Sequence, residues 1–287
     1  MPKKSPKSRL IGVLALQGAF EEHETKLRSL GPHITTRQVK TPSDLSDLDG
    51  IVLPGGESST MSIVGSLDGG SLWDALRDCI NVKALPCWGT CAGMILLADK
   101  AVGTSATIEG GQALIGGLDV IVCRNYFGSQ ISSFEMETPA PPGSDQTPFN
   151  GVFIRAPAIL QAGPGLEVLT KIVATPHSQA NSTLRELDAR LAKGEDISAS
   201  IAVDENWYKN EPAAKKAKKG VKAMSDVKAK SDVNDSLTLP GAAPSSDARE
   251  IIIAVKKGNV LATSFHPELC EDLRWHEYWM NEYVEKK

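Results

Sequence analysis

A short apolar run ending at Trp88 breaks into Gly89-Thr90-Cys91-Ala92-Gly93 and resumes as a helical stretch from Ala92 to Ala98. A strand that turns into a helix this abruptly has no space for a Cβ two positions either side of the corner, and glycine stands at both places. Such a corner aims its central side chain out of the sheet. It also sets the Cys91 thiol at a helix N-terminus, where the dipole favours the thiolate. The following backbone N–H, that of Ala92, is placed to donate to an oxyanion. On its own the pentapeptide fits an activated nucleophile and a buried structural cysteine about equally well.

The flanking pattern fixes the fold class. Leu10–Leu16, Ile34–Val39, Asp49–Leu53 and Ala84–Trp88 are short apolar runs. Helical stretches at Phe20–Leu30, Ser71–Ile80 and Ala92–Ala98 lie among them, and Gly31-Pro32 stops the first. Alternation at this spacing predicts an α/β fold with a mostly parallel sheet, whose ligands sit at the C-terminal strand ends. Further strands are expected at Asp119–Cys123, Ile131–Glu137, Gly151–Ile154 and Leu166–Ala174, as an antiparallel extension of that sheet. Glu250–Val255 and Val260–Phe265 read as a pair joined by Lys257-Gly258-Asn259, and Asp272–Val284 as a closing helix.

Four segments follow. Residues 1–9 are a basic tail, 10–177 the first part of the domain, 178–249 an insertion and 250–287 the last part. A helix over Asn181–Lys193 opens the insertion. Its stretch AAKKAKKGVKAMSDVKAKSD is rich in Lys, Ala, Ser and Asp, with too little apolar surface to offset the entropy of ordering. Pro212–Ser246 is therefore expected to be disordered, with Lys215–Lys230 a solvated linker rather than a nuclear-targeting patch. The net charge of -4 gives no reason to expect nucleic acid or an acidic membrane as a partner. No run is long enough to span a membrane, and five cysteines without a pairing framework point to a reducing, cytoplasmic setting. Cys87 and Cys91 have no companion Cys/His pair, so no metal site is expected.

A nucleophilic cysteine needs a base, and the base needs an orienter. Ser264-Phe265-His266-Pro267-Glu268 supplies both near the end of the last strand. Residues two apart on extended chain share a side, which lets Glu268 hold one nitrogen of His266 while the other faces a thiol. His23, His33, His177 and His276 have no such neighbour at a strand end. Pro54-Gly55-Gly56-Glu57-Ser58-Ser59 follows another buried strand, and its amides are placed to complete an oxyanion site. It lacks the pattern of a phosphate loop, and Glu57 would repel phosphate.

These elements together resemble the class I, or triad, glutamine amidotransferases. The segments LALQGAFEEH (14–23), LPGGESS (53–59), GTCAGM (89–94), RNYFGSQISSFE (124–135), FIRAP (153–157) and SFHPEL (264–269) are similar, in order, to the glutaminase subunits of pyridoxal 5′-phosphate synthases. The resemblance implies a flavodoxin-like glutaminase with Cys91 as nucleophile, His266 as acid and base, and Glu268 as orienter. It implies an oxyanion hole from Gly56 and Ala92. L-Glutamine would be bound by Gly56, Glu57, Ser58, Arg124, Ile154 and Arg155. It also implies no cofactor, and a barrel-fold synthase subunit that receives the ammonia. Two departures stand out: Ser129, where the family usually has Arg, and the insertion at 178–249. The glutaminase of imidazole glycerol phosphate synthase, and a non-catalytic interaction subunit on the same fold, are the competing readings.

Overall fold

The computed structural model describes residues 7–102, 115–128, 133–194, 201–202 and 247–286. Ser129, Pro212–Ser246 and the lysine cluster lie outside them. The parallel half of the main sheet carries β1 (Arg9–Leu14), β2 (Ile34–Val39), β3 (Gly50–Leu53), β4 (Cys87–Thr90) and, from the far end of the chain, β13 (Val260–Thr263). They run side by side in the order β2-β1-β3-β4-β13, every neighbouring pair parallel. This is the flavodoxin-type order 2-1-3-4-5, with β13 in fifth place. The α/β, flavodoxin-like expectation therefore holds.

The other half is built from β5 (Ala98–Val102), β6 (Leu118–Cys123), β9 (Ala158–Ala162), β10 (Glu167–Ala174), β11 (Ile201–Ala202) and β12 (Arg249–Lys257). Antiparallel pairings dominate here, with β12 joined to β9, β10 and β13. β7 (Phe134–Thr138) and β8 (Phe149–Phe153) do not extend this sheet as expected. They pair with each other in a separate two-stranded ribbon. Two other boundaries move. Ala84 adopts φ 53 and Pro86 has no N–H to donate, so the strand begins only at Cys87. At the other side of the corner, Ala98 already starts β5 and helix α4 (Ala92–Leu97) is correspondingly short.

Side chains alternate strictly across the parallel strands. Ile11, Val13, Val52 and Trp88 enter one core, while Leu14, Ile51, Leu53 and Cys87 enter the other. The first is covered by α1 (Phe20–Ser29), α5 (Ser178–Ala192) and α6 (Arg274–Trp279), through Leu27, Leu184, Trp275 and Trp279. The second is covered by α2 (Ser58–Gly65), α3 (Ser71–Arg77) and α4, through Met61, Leu72, Trp73 and Met94. Trp279 stacks obliquely on Trp88, with centroids 6.0 Å apart, and fits over Gly50, where a Cβ would come within 2.9 Å of its ring. Trp279→Ala empties this close-packed joint between α6 and the sheet. Urea denaturation should show a loss of about 3–5 kcal/mol.

Candidate active site

The corner after β4 is as tight as its glycines imply. A Cβ on Gly89 would lie 2.6 Å from Leu97 Cδ1 and 2.7 Å from the carbonyl group of Gly93, and one on Gly93 would collide with the Leu53 carbonyl. Cys91 sits at the apex with φ 46 and ψ −103, outside the regions an L-residue ordinarily occupies. Hydrogen bonds on both sides hold it there. Its N–H donates to Thr263 O at 2.8 Å, and the Gly93 N–H donates to Pro54 O at 3.2 Å. The corner is thus anchored to β13 and to the loop after β3 together.

β13 then brings His266 to the same place. The His266 N–H donates to Val152 O at 2.8 Å, which ties the turn to β8. A Cβ on Gly55 would meet both the His266 ring and Cys91 Cβ, the latter at 3.3 Å, so only glycine lets this loop lie against the two. The Cys91 sulfur is 3.9 Å from the Ile154 carbonyl oxygen. Cys91, His266, Gly55 and Ile154 therefore converge on one point, at the C-terminal ends of β3, β4 and β13.

Glu268 completes the line. Its Oε1 accepts from His266 Nδ1 at 2.7 Å, and both residues are buried. His266 Nε2 is buried without a hydrogen-bond partner among the described residues. Burial works against a charged imidazole, but the negative charges of Cys91 and Glu268 outweigh it and hold the His266 pKa well above its ordinary value. Burial likewise opposes a charged Glu268. The neighbouring His23 and His266 reverse the effect, and the carboxyl ends far below the usual range. An imidazole oriented by a carboxylate, its second nitrogen free beside a thiol, can shuttle a proton to and from sulfur.

A second group of side chains lies on α2. Arg124 Nη2 donates to Ser58 Oγ at 2.9 Å and to Ser59 Oγ at 2.8 Å, while its buried Nε has no partner among the described residues. Burial lowers the guanidinium pKa and Glu57 opposes that shift. The Glu57 carboxylate is itself occupied, because it caps α2 by accepting from Ser59 N at 3.1 Å and Thr60 N at 2.6 Å. Gln17 Oε1 accepts from the Glu57 N–H at 2.6 Å and so links the turn after β1 to this loop. Arg155 follows Ile154 with φ 46.

The sequence reading passed over His23 and His276. Both are fully buried, and His23 Nε2 stands 3.2 Å from Glu268 Oε2. A signal existed in the helical spacing. His23 shares a face with Leu27, and His276 with Trp279, Met280 and Tyr283, all of which are buried. No such pattern reveals which atom a buried histidine meets. Among the described residues no group of three or more His, Cys, Asp or Glu side chains is arranged to hold a metal. No helix among them is long and apolar enough to cross a membrane.

The chain is similar to known proteins over most of its length. The SNO glutamine amidotransferase family matches residues 13–178. A probable pyridoxal 5′-phosphate synthase subunit PDX2 of Arabidopsis thaliana is 37% identical over 94% of this chain and 84% of its own length. Pyridoxal 5′-phosphate synthase subunit PdxT of Carboxydothermus hydrogenoformans is 45% identical over 56% of this chain and 78% of its own. A solved structure described as a glutamine amidotransferase superposes with TM-score 0.59 at 29% identity, covering 94% of this chain and 97% of that one.

The charge on Glu268 makes a stability prediction with a definite sign. Its folded pKa lies below the ordinary glutamate value of 4.5, so its contribution is fully present above pH ~4.5 and is lost as pH falls through the folded value. Urea titrations of the unmodified protein and Glu268→Gln should therefore show a stability gap at pH 6 that narrows steadily below pH ~4.5. The other carboxylates are common to both proteins and cancel.

Proposed function

The chain belongs to the SNO glutamine amidotransferase family, and from that premise we propose that it is the glutaminase subunit of a pyridoxal 5′-phosphate synthase. It hydrolyses L-glutamine to L-glutamate and passes the ammonia to a barrel-fold synthase subunit. The observation that carries this reading is the buried His266–Glu268 pair, 2.7 Å apart, with the unpartnered nitrogen of His266 beside Cys91.

The Cys91 thiolate attacks the side-chain amide carbon of glutamine, and the oxyanion is met by the N–H groups of Gly56 and Ala92. His266 protonates the departing nitrogen, which leaves as ammonia and a thioester on Cys91. The same imidazole then takes a proton from water as it attacks the thioester, and glutamate departs. Glu268 keeps His266 in the tautomer that faces sulfur. Arg124 is suited to the substrate carboxylate because its guanidinium is buried and Ser58 and Ser59 fix only one of its nitrogens. Gly56, Ser58, Ile154 and Arg155 complete the proposed glutamine-binding set. Glu57 contributes by capping α2 and placing the serines. The five unpaired cysteines support a cytoplasmic location.

Cys91→Ala should lower glutaminase turnover by about four orders of magnitude or more, and a glutamine-analogue alkylator should add mass to Cys91 alone. Adding the synthase subunit should raise glutaminase turnover of the unmodified chain, measured before and after pull-down of the complex. Substantial activity in Cys91→Ala would defeat the assignment.

A further inference from the structure

Two histidines that the mechanism does not use are fully buried behind Glu268. They come from opposite ends of the chain, His23 on α1 and His276 on α6, and lie 253 positions apart. His23 Nδ1 is 3.1 Å from His276 Nε2. His23 Nε2 is 3.1 Å from Thr90 Oγ1 and 3.2 Å from Glu268 Oε2. The contact with Oε2 is a close polar approach rather than a hydrogen bond, and Oε2 has no hydrogen-bond partner among the described residues. Trp88 stands edge-on to both rings, with centroids 5.7 Å from His23 and 4.9 Å from His276, and seals the group from solvent.

Counting protons fixes the tautomers. A carboxylate offers only lone pairs, so each nitrogen facing it must carry hydrogen. Oε1 takes the N–H of His266 Nδ1, and Oε2 faces the N–H of His23 Nε2. With the His23 Nε2–H placed there, Nδ1 is left to accept from His276 Nε2, 3.1 Å away. That leaves His276 Nδ1 as a lone pair, and this atom has no hydrogen-bond partner among the described residues. Burial pushes the His276 pKa well below its ordinary value, which agrees with a neutral ring. One ordered line therefore runs from His276 through His23 and Glu268 to His266 and Cys91.

We propose that His23 is a positioning residue for amide hydrolysis: its Nε2–H holds the second oxygen of Glu268, His276 sets its tautomer, and together they keep the His266 ring aimed at Cys91. The proposal rests on the triad reading above. A histidine present only to fill space would be replaceable by an apolar side chain of similar size. Here such a change removes the polar group that stands 3.2 Å from a buried carboxylate oxygen. The titratable groups facing Glu268 are His266 and Cys270 from its own turn, His23 from α1 and His276 from α6, and α1 also brings Lys26 to the Cys270 carbonyl. β8, also packed there, brings none. Loss of the His23 donor therefore makes protonation of Glu268 easier and weakens its hold on His266.

The test is steady-state glutaminase kinetics of the full chain in complex with its synthase subunit. His23→Leu should lower kcat about 10- to 100-fold, with KM within about twofold, and move the acid limb of the pH profile upward. His23→Gln, whose amide offers an N–H near the Nε2 position, should recover most of the loss and restore the limb. In the unmodified protein, nitrogen-15 spectra of labelled histidine should show the Nε2–H tautomer at both His23 and His276. This readout stands even if His23→Leu fails to fold. A folded His23→Leu with unchanged kcat and pH profile overturns the proposal, as does an Nδ1–H tautomer at His23. An unmodified complex without glutaminase turnover overturns the triad reading instead, and the role of His23 with it.

Discussion

Glu268 carries a negative charge where water does not reach, and its surroundings are organised to meet that charge. An uncompensated carboxylate in such a place would cost several kcal/mol. The donors that offset it arrive from separate parts of the chain: His266 from its own turn and His23 from the first helix. α1 is in effect clamped to the end of β13 through the active site, and α6 joins the same clamp through His276. The order of the His266 imidazole and the closure of the fold are thus one electrostatic problem with one solution.

Against that fixed frame stands a corner under strain. Cys91 occupies a backbone conformation with positive φ, and it persists because the surrounding contacts over-determine it. Thr263 grips the Cys91 amide from β13, Pro54 grips the Gly93 amide from the loop after β3, and two glycines admit the crossing of strand and helix. The strain has a chemical use. It lifts the thiol clear of the sheet toward the point where the ring of His266 and the glycine loop meet.

Much of this was legible in the sequence, and the boundary of what was legible is physical. The pentapeptide at 89–93 and the pair at 266 and 268 could be read because tight turns and period-two geometry leave few residue choices. The strands of the parallel half could be placed because each is a short apolar run between helical stretches. α2 escaped notice because its cap is Glu57, a residue that advertises charge rather than a helix start. The β7–β8 ribbon was misplaced because alternation shows that a strand has two faces, not which sheet it joins. His23 and His276 were missed for a deeper reason. A partner 253 residues away leaves no periodic trace, and only the packing of α1 and α6 on one face of the sheet brings the rings together.

The insertion of β13 beside β4 has consequences for the life of the chain before it is finished. Trp88 and Thr263, bonded at 3.1 Å, are 175 residues apart. A ribosome releases the N-terminal strands long before their last neighbour exists. Until residues 260–263 emerge, one flank of β4 displays unpaired amides and carbonyls beside a reactive thiol, the kind of edge that recruits other chains. His266 follows that same strand, so its ring reaches the Cys91 corner only as the edge is sealed.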